Sequence, residues 1–275
     1  MADLETLKQH AANIRGNIVG LSQKQRIPHL ASALSCVDVL VSAYWGGSLD
    51  INTSNARLAS RDRFILSKGH AATALYATLL EKGIIDGETF WQTGDNQAAL
   101  AEQPAPGCAR GVEWATGSLG HGLSAGIGMA LASRIQGNPF RVIVLVSDGE
   151  CNEGSTWEAA MFAPAQKLTN LIAVVDSNKW QATGRTAEIL ALHPIREKFE
   201  AFGWNAIELD GHDFPSLLDA MKGFDREDGR PTAIIANTVK GKGISFMEDD
   251  NNWHYRTPTE DEVGKARKEL GLAPA

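Results

Sequence analysis

Two short, unbroken apolar runs, Val142 to Val146 and Leu171 to Val175, constrain this chain more than any other feature. A strand with one wet face alternates apolar and polar residues, whereas a continuous run reads as a strand covered on both faces, the habit of parallel sheets. The segment between the runs is long enough for one crossover helix, so the unit reads as βαβ. Both strands then deliver their C-terminal ends to the same edge of the sheet. Each run leads into an acid, Asp148 after the first and Asp176 after the second. In α/β folds that edge is where ligands bind.

The rest of the chain continues the alternation. Leu4, Leu7, Ala11, Ile14, Ile18 and Leu21 recur at helical spacing and predict an amphipathic first helix. Pro28 breaks the pattern and puts His29 on a loop, and Ser35 can start a helix over Cys36 to Tyr44. Asp62 to His70 reads as a short strand ending in Ser-Lys-Gly-His and feeding a helix from near Ala71. A small helix over Gly87 to Gln92 is followed by a long loop. A second long helix opens after Gly111 and carries Gly122, Gly126 and Gly128 in its first turns. Glycine weakens a helix by about 1 kcal/mol relative to alanine, so the cluster needs a reason, and close packing on the sheet is one. A helix at Phe199, a strand over Trp204 to Leu209, a helix over Phe214 to Lys222 and a last strand over Pro231 to Thr238 complete the pattern. His212 reads as a turn residue capping the helix that follows it. The expectation is an α/β fold, a doubly wound, mostly parallel sheet flanked by helices, with residues 1–275 as one domain.

With 43% hydrophobic residues among 275, the chain can bury a full core. A formal net charge of -7 and the lack of a basic run argue against a nucleic-acid partner. The polar N-terminus shows no signal peptide, and the apolar stretch Leu119 to Ala132 falls short of a membrane span, so the expected compartment is the cytoplasm. Three widely spaced cysteines, Cys36, Cys108 and Cys151, fit neither a disulfide framework nor a zinc site. Cys151 reads more naturally as a small buried apolar residue than as a reactive thiol.

Asp148 and Asn178 are hard oxygen donors on the loops leaving the two central strands. Such donors suit a magnesium ion that keeps part of its shell for phosphate oxygens. Gly149 and Gly154 allow close approach of an anion and a sharp turn into a helix N-terminus. An Asp-Gly turn before a capped helix explains the same residues without a ligand.

Taken together, Ser147-Asp148-Gly149, the thirty-residue gap and Ser177-Asn178 resemble the thiamine diphosphate motif, with Ser in place of its first Gly and first Asn. The continuation Asp-Gly-Glu-Cys-Asn-Glu-Gly-Ser-Thr-Trp-Glu is similar to the transketolase version. That resemblance implies thiamine diphosphate and Mg²⁺ as cofactors, the metal held by Asp148, Asn178 and the carbonyl of Trp180. Further matches are His29 in a substrate-facing loop, Ser-Lys-Gly-His at His70, and Thr116-Gly-Ser-Leu-Gly-His-Gly122. There the resemblance implies diphosphate contact by Gly117 and cofactor packing by Leu119. Lys-Gly-Lys-Gly and Trp-His at His254 complete the set, with Tyr255 in place of the family's glycine.

The implied catalytic set is His29, His70, His254 and Glu153. His70, Gly117, Leu119, Asp148, Gly149, Glu158, Asn178 and His254 would bind the cofactor. Glu153 and Glu158 read as interface acids linking paired cofactor sites. Gln103, where the family has a histidine, would face the substrate beside His29 and would favour a donor other than xylulose 5-phosphate. The implied reaction moves a two-carbon ketol unit from a ketose phosphate to an aldose or its phosphate. The family's pyrimidine-binding and C-terminal domains have no match in this sequence. The resemblance therefore implies a split enzyme, this chain being the N-terminal subunit of an α2β2 heterotetramer with a separate C-terminal subunit. The decarboxylating component of a 2-oxo-acid dehydrogenase and a non-catalytic scaffold of the same fold are the other readings.

Overall fold

The computed structural model describes residues 2–274. Three helices open the chain: α1 (Leu4–Gln25), α2 (Leu30–Ser35) and α3 (Val37–Trp45). After them come β1 (Arg63–Leu66), α4 (Ala72–Glu81), α5 (Gly87–Trp91), α6 (Gly122–Gln136), β2 (Val142–Ser147), α7 (Gly154–Ala165) and β3 (Leu171–Ser177). The chain ends with α8 (Thr186–Ile189), α9 (Ile195–Ala201), β4 (Asn205–Asp210), α10 (Phe214–Ala220), β5 (Thr232–Asn237) and α11 (Glu260–Glu269). The strands form one sheet in the order β1-β2-β3-β5-β4, every neighbouring pair parallel.

Why the central runs are continuously apolar is now plain. Side chains alternate faces along a strand. Ile143, Leu145, Ile172 and Val174 enter one core with residues of α1, α3 and α4, while Val142, Val144, Ala173 and Val175 enter another with residues of α6, α7 and α9. With helices on both faces, neither set has a wet side. The glycines of α6 are explained in two cases of three. A Cβ on Gly122 would lie 2.2 Å from Ser67 Oγ, and one on Gly126 would lie 2.3 Å from Val144 Cγ2. Gly128 faces open space and nothing in the fold requires it.

Some local expectations need correction. His29 sits at the N-cap of α2 with φ 67°, and all six residues of α2 are buried, so Leu30 to Ser35 is helix where the sequence suggested loop. Pro28 ended one helix, as expected, but its effect did not extend to the next one. His212 does not cap α10; Asp213 does, accepting from the Ser216 N–H at 3.0 Å. The His212 ring instead bridges Asp38 on α3 (Nδ1 to Oδ2, 2.7 Å) and the Val239 N–H (to Nε2, 2.9 Å). Arg15 completes the clasp with two hydrogen bonds to Asp38 and one to the Lys242 carbonyl, which ties the loop after β5 to α1. Helix α11 had no sequence forecast. It is started by a Thr259/Glu262 capping box, and Leu272 beyond it fills the space that Gly16 leaves on α1.

Candidate active site

The loops after β1, β2, β3 and β5 converge at the C-terminal edge of the sheet, joined by His29 and by the single-turn helix Asn251–His254. Together they enclose a cleft of ≈ 350 Å³. His29, His70, Gly117, Leu119, Gly149, Glu153, Asn178, Trp180 and His254 line it. Asp148 lies fully buried beside Gly149. Besides Asp148, two of the sequence candidates lie off the cleft wall. Glu158 is exposed on α7. Gln103 borders a neighbouring recess with Thr116 and His121, though its side chain packs against Gly117, where an added Cβ would lie 1.8 Å from Oε1.

Three histidines form one cluster. The His29 ring is centred 4.7 Å from His254 and 5.5 Å from His70, and the His29 N–H donates to the His254 carbonyl at 2.7 Å. Burial lowers the pKa of all three. Lys240 adds to the effect at His29 and His254, the latter falling to about 3, and Lys68 adds to it at His70. All three rings are therefore neutral at pH 7, each with one N–H donor and one acceptor nitrogen. Lys240 Nζ stands 3.0 Å from His254 Nδ1, and an ammonium donates only, so Nδ1 accepts and Nε2 carries the proton. His29 Nδ1 is buried with no partner among the described residues.

Four charged residues hold this edge together, of which sequence reasoning noted Asp176 and passed over Lys68, Glu150 and Lys240. Lys68 and Asp176 are both fully buried and ion-paired. Burial opposes both charges and their mutual attraction outweighs it, so the Lys68 pKa lies above its ordinary value and that of Asp176 below. Lys68 also donates to the Ser32 carbonyl at 2.9 Å, and Asp176 accepts from Ser35, Thr238 and Asn178. Glu150, fully buried, accepts from Ser67 Oγ and from the Gly120 N–H at 2.8 Å, which pins the glycine turn to the sheet edge. Lys240, also fully buried, is lowered to about 8 by burial and by Lys68. A charged residue directly after an apolar run, as Asp176 is, or one serine beyond it, as Lys68 is, is the signal that was there to read.

The donor set fits a hard cation. The Asp148 carboxylate accepts from Gly149 and Lys179 N–H groups and from Thr186 Oγ1, yet burial and then Asp176 raise its pKa to about 6. A carboxylate whose charge is disfavoured first by burial and then by a second acid is a place where a divalent ion relieves unfavourable charge. Among the described residues no group of three or more His, Cys, Asp or Glu is placed to hold a metal, so the fit rests on Asp148 with amide and backbone oxygens. The cleft also fits a polar cofactor. Asn152 Oδ1 and Gln181 Nε2 on the cleft's lining are buried without partners among the described residues, and Gly117, at φ 132°, leaves no room for a side chain because a Cβ would collide with Gln103. Cys151 is buried and its thiol is pushed well above the ordinary range, first by burial and then by Glu150, which leaves it inert. No helix among the described residues is long and apolar enough to cross a membrane.

Comparison with known proteins agrees with this geometry. The family model "Transketolase, thiamine diphosphate binding domain" matches residues 7–275. An apulose-4-phosphate transketolase subunit from Actinobacillus succinogenes is 39% identical over 97% of this chain and 96% of its own length. A 6-deoxy-6-sulfo-D-fructose transketolase subunit from a Clostridium species is 38% identical over 98% of both chains. Against human transketolase, 35% identical, the match covers 91% of this chain and 40% of that protein. The structure of Campylobacter jejuni transketolase superposes with a TM-score of 0.91 at 26% identity, over 99% of this chain and 44% of that one. The chain thus belongs to the transketolase family, as a thiamine diphosphate-binding chain of the N-terminal subunit type.

Proposed function

We propose that this protein is the N-terminal subunit of a two-chain transketolase, moving a two-carbon ketol unit from a ketose phosphate to an aldose or its phosphate in the cytoplasm. The single observation that carries this reading is the full-length match to relatives named as transketolase subunits, over 94–98% of their own length. A separate C-terminal subunit then completes the site, in an α2β2 assembly. Neither the 2-oxo-acid dehydrogenase reading nor the scaffold reading has support of this kind.

Thiamine diphosphate, when bound, supplies the electron sink that lets the carbon–carbon bond beside a ketose carbonyl break. Asp148, Asn178 and the Trp180 carbonyl hold Mg²⁺, while His70, Gly117, Leu119, Gly149 and His254 receive the cofactor. His29, neutral and with a free acceptor nitrogen, takes a proton from a donor hydroxyl, and the Nε2–H of His254 donates a hydrogen bond. Glu153 and Glu158, both exposed, contact a neighbouring chain in this reading, and their exposure supports it. Gln103 stands beside Gly117 as a hydrogen-bonding group that does not titrate. The names of the relatives, one for apulose 4-phosphate and one for 6-deoxy-6-sulfo-D-fructose, support a donor other than xylulose 5-phosphate.

The test is reconstitution. The purified chain alone has no ketol-transfer activity and binds thiamine diphosphate weakly, and addition of the C-terminal partner restores both. Full turnover by this chain alone, with host transketolase excluded, defeats the two-chain reading.

A further inference from the structure

Tyr255 stands at the mouth of the cleft with 64% of its surface exposed. Its ring meets His254 edge-on, centroids 4.7 Å and planes 78° apart, and tilts over His29 at 5.8 Å. A loose backbone does not explain this exposure. On one side Trp253 is buried and donates to the Phe246 carbonyl at 3.0 Å; just before it, Asn251 is held by Lys240 Nζ at 2.7 Å and donates to the Ala182 carbonyl at 3.1 Å. On the other side Arg256 stacks 4.2 Å over the Trp253 ring and pairs with Glu262. An anchored segment thus presents an aromatic ring to solvent directly above two site histidines.

Tyr255 is also a shared wall. With Ala182 it borders both the histidine cleft and an outer recess of ≈ 710 Å³, whose other walls are Asp250, Asn251, Asn252 and Arg256. The inner cavity carries the proton-handling rings; the outer one is polar and open. A polyhydroxylated molecule whose reacting end reaches the histidines must pass its remaining carbons across the Tyr255 ring to reach the recess. Aromatic rings suit that path, because the face packs against C–H groups while the hydroxyl offers one hydrogen bond.

The geometry points to Tyr255 as a specificity-determining residue: its ring is the wall along which the remote end of the donor sugar runs, and the recess behind it receives that end. This inference rests on the ketol-transfer reading, and it locates donor selection on this chain at a position that takes no part in holding the cofactor.

The experiment uses the reconstituted complex with thiamine diphosphate and Mg²⁺. It compares kcat/KM for a set of donors that differ only beyond the reacting carbons: xylulose 5-phosphate, fructose 6-phosphate and a branched ketose phosphate. Tyr255→Ala is expected to change the ratio of kcat/KM between the donors at the two ends of the ranking by about tenfold, through KM, the size of effect one pocket contact produces. Tyr255→Phe, which keeps the ring, keeps the ranking. A uniform loss across all donors, or no change, overturns the inference. Saturation-transfer NMR on the same complexes reads contact without turnover: protons at the donor's remote end receive saturation in the wild type and lose it in Tyr255→Ala. If donor binds but does not turn over, the ketol-transfer reading fails while the NMR comparison still decides the role of Tyr255. If no donor signal appears at all, both fail.

Discussion

Breaking the Lys68–Asp176 pair is the most informative test of how this fold is held together. Both side chains are fully buried, so neither can turn to water when its partner is removed. Removing one member of a buried pair costs about 3–5 kcal/mol, because it strands an uncompensated charge. The surroundings place the two deletions at different ends of that range. In Lys68→Met the Asp176 carboxylate keeps donors from Ser35 at 2.7 Å and Asn178 at 3.0 Å, together with Thr238, which points to about 3 kcal/mol. In Asp176→Asn the Lys68 ammonium keeps one strong acceptor, the Ser32 carbonyl at 2.9 Å, which points to about 5 kcal/mol. The double substitution removes both charges, so its cost falls short of the sum of the singles by about 2 kcal/mol, within the range of direct couplings. Urea denaturation followed by circular dichroism on all four proteins gives the cycle. Additivity within about 0.5 kcal/mol, or a Lys68→Met cost below about 1 kcal/mol, refutes the assignment of this pair as a mutually dependent buried unit.

Three further outcomes follow from the same edge. The folded pKa values of His29, His70 and His254 lie below their ordinary value, His254 at about 3, so between pH 6.5 and 3 the unfolded chain binds more protons and stability falls as pH falls. Each ring contributes up to about 1.4 kcal/mol per pH unit, and His254→Asn flattens the pH dependence of the urea midpoint over that window. Gly69→Ala places a Cβ 2.5 Å from the Gly117 nitrogen, a backbone atom that cannot swing aside. It lowers stability by about 1–3 kcal/mol in the same urea assay, whereas an unchanged midpoint removes the close-approach argument. Asp148→Ala abolishes metal-dependent binding of thiamine diphosphate in calorimetry of the complex while Ser147→Gly retains it; equal affinities in the two variants remove the metal assignment.

Much of this arrangement was legible because it is written locally. Continuous apolar runs at Val142 and Leu171 specify strands covered on both faces, since only such strands tolerate apolar residues at every position. The glycines at 122 and 126 flagged close approach, and Ser67 and Val144 are what approaches. Apart from His254, the site candidates that line the cleft follow strands or precede helices, so their direction comes with the topology. What escaped was set by contacts distant in sequence. Helix α2 is six residues long, too short to show a period, and burial rather than propensity holds it. His212 looked like a turn residue because its partners, Asp38 and Val239, lie 174 and 27 positions away.

The buried charged residues of this edge share a further property, and it bears on function. Lys68 and Lys240 are cations with no exposed surface, and Asp148, Glu150 and Asp176 are anions with none. With all five ionised, this edge carries one net negative charge, and each member is tolerable only because the others are present. A diphosphate would be repelled by that balance. A divalent ion at Asp148 reverses its sign, which is the physical reason to expect metal and cofactor binding to be coupled. Burial first, and then the same two lysines, keep the histidines neutral, so the groups that prepare the edge for an anion also help leave three rings able to accept a proton. Sequence reading finds the oxygen donors one at a time; the balance among them exists only once β1, β2, β3 and β5 bring their loops to a single edge.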